Sequence, residues 1–129
     1  MIVEAPLSVG ELIDKITILE IKTERLADPR KVRNAAYELK LLEERRGAAG
    51  LEGDGLFLLR AALKEVNEKL WTVEDDIRER ERAKDFGPGF IALARDVYRL
   101  NDERFVLKQK INALAGSAVV EEKSYRPYD

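Results

Sequence analysis

The side chains in this sequence best suited to chemistry are carboxylates set one helical turn apart. Glu11 and Asp14 form an E-x-x-D, and Glu74, Asp75 and Asp76 stand together further along. On neighbouring helices such groups project from one face and can hold a divalent cation such as magnesium. Arg78, one turn beyond Glu74, would add a cation for a phosphorylated or nucleotide-linked small molecule.

The order of these motifs argues against the nearest precedent. All-α nucleotide pyrophosphohydrolases bind magnesium through an E-E-x-x-E helix followed by an E-x-x-D helix. Here Glu43-Glu44 runs into Arg45-Arg46-Gly47 with no third carboxylate, and the E-x-x-D comes first. A chorismate-mutase-like dimer would need several inward arginines, and only Arg104 is placed inward. No glycine-rich phosphate loop and no serine nucleophile elbow occurs. No cofactor is therefore expected, with magnesium confined to the enzymatic alternative.

Arg104 falls on the apolar seam of its helix, where a charge must be paired or must snorkel to water. Glu20 and Glu74 are its expected partners. The preferred reading is an internal salt bridge that fixes helix register, because structural ion pairs are more frequent than ligand sites. Beside the seams run two polar edges: Asn67, Trp71, Glu74 and Arg78 on one helix, and Asn101, Phe105, Lys108 and Asn112 on the next. If these edges converge they form a small-molecule pocket, and otherwise they are flanking pairs with Trp71 in the core.

The elements that must carry these groups are legible from periodicity. Ser8 and Glu11 have capping-box spacing, which opens a helix over about 9–26 with Val9, Leu12, Ile13, Ile16, Leu19 and Leu26 on one face. Ile18 and Ile21 fall on its opposite side, so this helix is either sandwiched or part of a dimer interface. Asp28-Pro29 reads as N-cap and first turn of a second helix to 46, followed by a glycine-rich loop, 47–55. Leu56, Leu59, Leu63, Val66, Leu70, Val73 and Ile77 make a heptad seam over 56–83. After the Asp85 to Gly89 break, Phe90, Leu93, Val97, Leu100, Leu107, Ile111 and Leu114 repeat it over 89–115. Two matched seams across a tight turn fold back antiparallel. The expected fold is thus all-α: a long antiparallel helical hairpin with two N-terminal helices packed on it, like a four-helix bundle. The tail, 117–129, suits an extended segment, either laid against the bundle or free.

Composition narrows the partners. The chain has 129 residues, 45% hydrophobic and 37% charged, which fits one domain with long solvated helices. With 23 Lys and Arg against 25 Asp and Glu, the net charge of −2 offers no basic excess for nucleic acid or an anionic membrane. There is no cysteine and no histidine, so disulfides, thiolate metal sites and the commonest general base are excluded. No signal-peptide pattern opens the sequence, and no stretch reaches the ~20 apolar residues that span a bilayer. The chain is read as cytoplasmic.

The segments PLSVGELIDKITILEIKTERL, LWTVEDDIRERE, FIALARDVYRLNDERFVLKQKIN and EEKSY together resemble a family of small bacterial and phage proteins whose domain has no assigned function. The likeness runs from Pro6 to Tyr125. Its motifs fall on Glu11, Asp14 and Lys15, on Trp71, Glu74, Asp75 and Arg78, on Asn101, Asp102, Arg104 and Asn112, and on Glu121 to Tyr125. Some members of that family accompany, or are fused to, glycosyltransferase-type proteins. The resemblance therefore implies an accessory role in cell-surface glycan assembly, by association and without a catalytic assignment. The expectation is a non-enzymatic helical interaction module, a homodimer or the partner of another protein. The alternative is a helical ligand-binding or metal-dependent enzyme working through Glu11, Asp14, Glu74 and Arg78.

Overall fold

A computed structural model describes residues 1–128; Asp129, the last residue of the expected tail, lies outside the described residues. Four helices and no strand occur among them: α1 (Val9–Arg25), α2 (Pro29–Ala48), α3 (Asp54–Arg82) and α4 (Pro88–Ala115). The fold is the all-α hairpin arrangement that the seams predict. None of these helices is long and apolar enough to cross a membrane.

Each boundary has a local cause. Ser8 Oγ accepts from the Glu11 N–H at 3.1 Å, and Asp28 Oδ1 accepts from the Arg30 N–H at 2.9 Å with Pro29 in the first turn. Only half of the capping box forms, because the Glu11 carboxylate is drawn to Lys108 instead. The glycine-rich loop is shorter than expected. Gly47 and Ala48 stay helical, and α3 starts at Asp54 after Gly53, whose φ of 114° suits only glycine. Gly116 ends α4 in the left-handed region, and the Ser117 N–H returns to the Asn112 carbonyl at 2.9 Å, a Schellman closure.

Helix α1 is the centre of the molecule. It packs on α2 on one side and on both α3 and α4 on the other, while α2 reaches α3 through side chains such as the Glu43–Arg60 ion pair. The core joins Ile13 and Ile16 of α1 to Leu56 and Leu63 of α3 and Ile111 of α4, with Leu39 and Leu42 of α2 packed against it. Ile21 is fully buried within this arrangement. The second apolar side of α1 is thus covered within the chain at Ile21, while Ile18 on that side is half-buried.

The two long helices outrun the short ones. At 1.5 Å per residue α3 is about 43 Å long and α1 about 25 Å. Leu70 is the last fully covered seam residue of α3; Val73 and Ile77 beyond it are half-buried, as are Phe90, Leu93 and Val97 opposite. The far half of the hairpin therefore stands as a two-helix projection.

Candidate functional site

The amino end of α1 lies against the carboxyl end of α4, and the contact is tight because residue 10 has no side chain. A Cβ on Gly10 would stand 2.6 Å from the Lys108 carbonyl oxygen. The Gly10 N–H donates to Asn112 Oδ1 at 2.6 Å and the Val9 N–H to Ser117 Oγ at 3.1 Å. With Ser8 capping Glu11, the free N–H groups that open α1 are taken up by side chains. Asn112 Nδ2 is left buried without a hydrogen-bond partner among the described residues.

One turn further along both helices, this close approach sets Asp14 opposite Arg104. Asp14 is fully buried. Its Oδ1 accepts from Arg104 Nε at 2.9 Å and from Asn67 Nδ2 at 2.9 Å, and its Oδ2 accepts from Arg104 Nη2. The guanidinium fork thus grips both carboxylate oxygens, the strongest geometry open to such a pair. Asn67 Nδ2 also donates to Thr17 Oγ1 at 3.0 Å, and Arg104 Nη1 donates to Asn101 Oδ1 at 3.3 Å. Hydrogen bonding to Asp14 holds the Arg104 pKa above the ordinary arginine value, against the effect of burial.

Lys108, unlike the partly exposed Arg104, is a buried cation. Its Nζ lies 2.8 Å from Glu11 Oε2, 2.7 Å from Glu121 Oε2 and 4.0 Å from Asp14 Oδ2. Glu121 Oε2 meets the ammonium group as a close ion pair. Burial works against the lysine charge, and Glu11, Glu121 and Asp14 more than offset it, so its pKa stands above 10.5. A lysine held charged in this way is a poor nucleophile. The cluster sets three carboxylates against two cations.

Glu121 arrives from the tail, which is laid along α4. Gln109 Nε2 donates to the Glu121 carbonyl at 2.9 Å, Lys123 Nζ sits 5.3 Å from the Phe105 ring centre, and Tyr128 donates to Asp102 Oδ2 at 2.7 Å while meeting Tyr98 edge-on.

Arg104 does not reach either expected partner. Glu20 lies six residues past Asp14, about 9 Å along α1, where it pairs with Arg60 of α3 at 2.9 Å. Glu74 turns along its own helix to Arg78, in an exposed pair. Asp14 wins because stepping back one turn from Gly10–Lys108 in an antiparallel contact lands on it. Of the sequence candidates, the fold brings Glu11, Asp14, Asn101 and Arg104 together. Glu74 and Arg78 bond to none of the cluster's groups, and Trp71 is half-buried on α3 one turn beyond Asn67. The two polar edges converge in part, through Asn67, Asn101, Lys108 and Asn112, but around an aspartate from a third helix. Thr17 and Gly10 gave no sign of chemistry. A glycine in the first turn of a capped helix was the available signal, since it costs helix stability unless a backbone must come close.

The groups that the enzymatic alternative needs are thus divided: Glu11 and Asp14 are held by cations, and Glu74 and Arg78 bind each other. Among the described residues, no three carboxylates converge as metal ligands. Two open grooves, of about 610 and 600 Å³, lie elsewhere, on the side of α4 facing away from Lys108.

No curated protein and no solved structure matches the chain. Residues 1–128 match the family described as "Family of unknown function (DUF6165)". With the match spanning all but the last residue, the chain belongs to that family of unknown function (DUF6165).

Proposed function

We propose that this protein is a non-enzymatic helical interaction module of the cytoplasm, an accessory to cell-surface glycan assembly. One observation supports the reading above all. Asp14, the most buried acid of the cluster, has both carboxylate oxygens bound by Arg104, with Asn67 adding a further donor. A reactive group needs an open approach and an unspent lone pair or proton. A cluster closed on itself instead ties three helices and the tail together, which is what a scaffold needs to present a surface. The link to glycan assembly rests on the family resemblance alone.

The test is a thermal-shift panel of magnesium, manganese, nucleotides and nucleotide sugars, read beside a screen for turnover of the same compounds. A ligand that binds only the folded chain raises its apparent stability. The reading expects no shift and no turnover, and a protein partner that protects the hairpin surface from hydrogen exchange. A saturable shift with any of these small molecules overturns it.

A further inference from the structure

The outer face of the α3–α4 hairpin is covered by the rest of the fold only at its edges, by Arg25 of α1 and Tyr128 of the tail. The two grooves abut there, sharing Arg99 and Glu103. Their floor is apolar, made by Val66, Val73, Leu100 and Leu107, and Val106 beside them is half exposed. At 100° per residue, Arg99, Glu103 and Val106 point to the side of α4 opposite Lys108. The face is therefore independent of the buried cluster.

Its charges are arranged for a particular occupant. Arg25 pairs with Glu68, Lys69 with Glu65, and Asp102 accepts from Tyr128. Arg99, Glu103 and Asp96 have no ion-pair partner among the described residues, although all three line the grooves. Arg99 and Glu103 are one turn apart, with opposite signs. A two-fold axis crossing α4 midway between them sets Arg99 of each chain against Glu103 of the other, giving two equivalent ion pairs over an apolar floor. Self-complementarity of this kind is what an isologous interface requires.

We propose that two copies of this chain pair through the outer faces of their α3–α4 hairpins, with Arg99 and Glu103 reciprocally matched across the axis. This rests on the reading of the protein as an interaction module, and it names the partner and the surface. Pairing of this kind completes an antiparallel four-helix layer along the part of the hairpin that α1 and α2 leave bare.

Light scattering on the full chain at high micromolar concentration tests it. The wild type is expected at the mass of two chains. Arg99→Glu and Glu103→Arg are each expected at the mass of one, with unchanged helical circular dichroism, because each sets like charges against one another. Mixing the two variants is expected to restore the two-chain mass, and so is combining both changes in one chain. A wild type that stays monomeric, or a dimer indifferent to these charges, overturns the proposed pairing. A monomer whose groove is protected by a different helical protein also overturns it but leaves the interaction-module reading standing, whereas a small-molecule shift in the thermal panel removes that reading itself.

Discussion

Gly10 and Asn112 are joined by a 2.6 Å hydrogen bond from the backbone of one helix to the side chain of another, and this bond fixes how α1 crosses α4. The register it sets determines which charges meet further along: Glu11 meets Lys108 and Asp14 meets Arg104.

The first consequence concerns glycine. Gly10→Ala would normally favour a helix, but here its Cβ would meet backbone at 2.6 Å, which cannot move aside cheaply. We expect a loss of about 2–3 kcal/mol, the scale of an overpacked core. Gly47→Ala in α2 has nothing within 4 Å and a helical backbone, so it should gain about 0.5–1 kcal/mol. Urea unfolding of the two variants gives the comparison, and effects of the same sign would contradict the close contact.

This contrast marks where the sequence was readable. The helices, the hairpin and the turn at Asp85 to Gly89 follow from apolar spacing and caps, which are local. The partner of Arg104 depends on the angle at which α1 crosses the hairpin, and that is set by one glycine and one amide, neither visible as periodicity. The polar edges through Asn67 and Lys108 were visible on helical wheels, but the acid at their meeting point, Asp14, came from a motif read as a metal ligand. Glu121 lay in a tail with no periodicity, so its reach to Lys108 had no local signal beyond its place in the resemblance.

Stability should depend on pH at both extremes. Burial raises the Glu43 pKa, but hydrogen bonds and charge from Arg46 and Arg60 outweigh it and hold it below 4.5. Its contribution is present above pH 4.5 and is lost as pH falls through the lower folded value. Lys108 is raised above 10.5, so its contribution is present below that pH and is lost as pH rises through the higher folded value. Glu43→Gln should cost about 1 kcal/mol at neutral pH and flatten the acid limb. Lys108→Met should cost about 3 kcal/mol by stranding carboxylates, and flatten the alkaline limb. Urea titrations across both ranges check the two limbs separately.

The tail should be a structural part of the bundle. A chain ending at Gly116 loses the Glu121 contact to Lys108, the Tyr128 contact to Asp102 and the Ser117 acceptor for Val9. We expect about 1–3 kcal/mol of destabilisation, the scale of a few lost polar contacts. Faster amide exchange should follow at Val9 and in the last turns of α4. Unchanged stability and exchange would show the tail to be a passive passenger.

The most direct test of the closed cluster is a double-mutant cycle on Asp14→Leu and Arg104→Met, followed by denaturant unfolding. Arg104→Met leaves the fully buried Asp14 charge without its partner and should cost about 3–5 kcal/mol. Asp14→Leu strands a partly exposed guanidinium and should cost less, and the double change should recover a large part of the larger loss. A coupling above about 1 kcal/mol is the expected result. Small, additive losses would show that the pair does not hold the helices together, and would contradict the account.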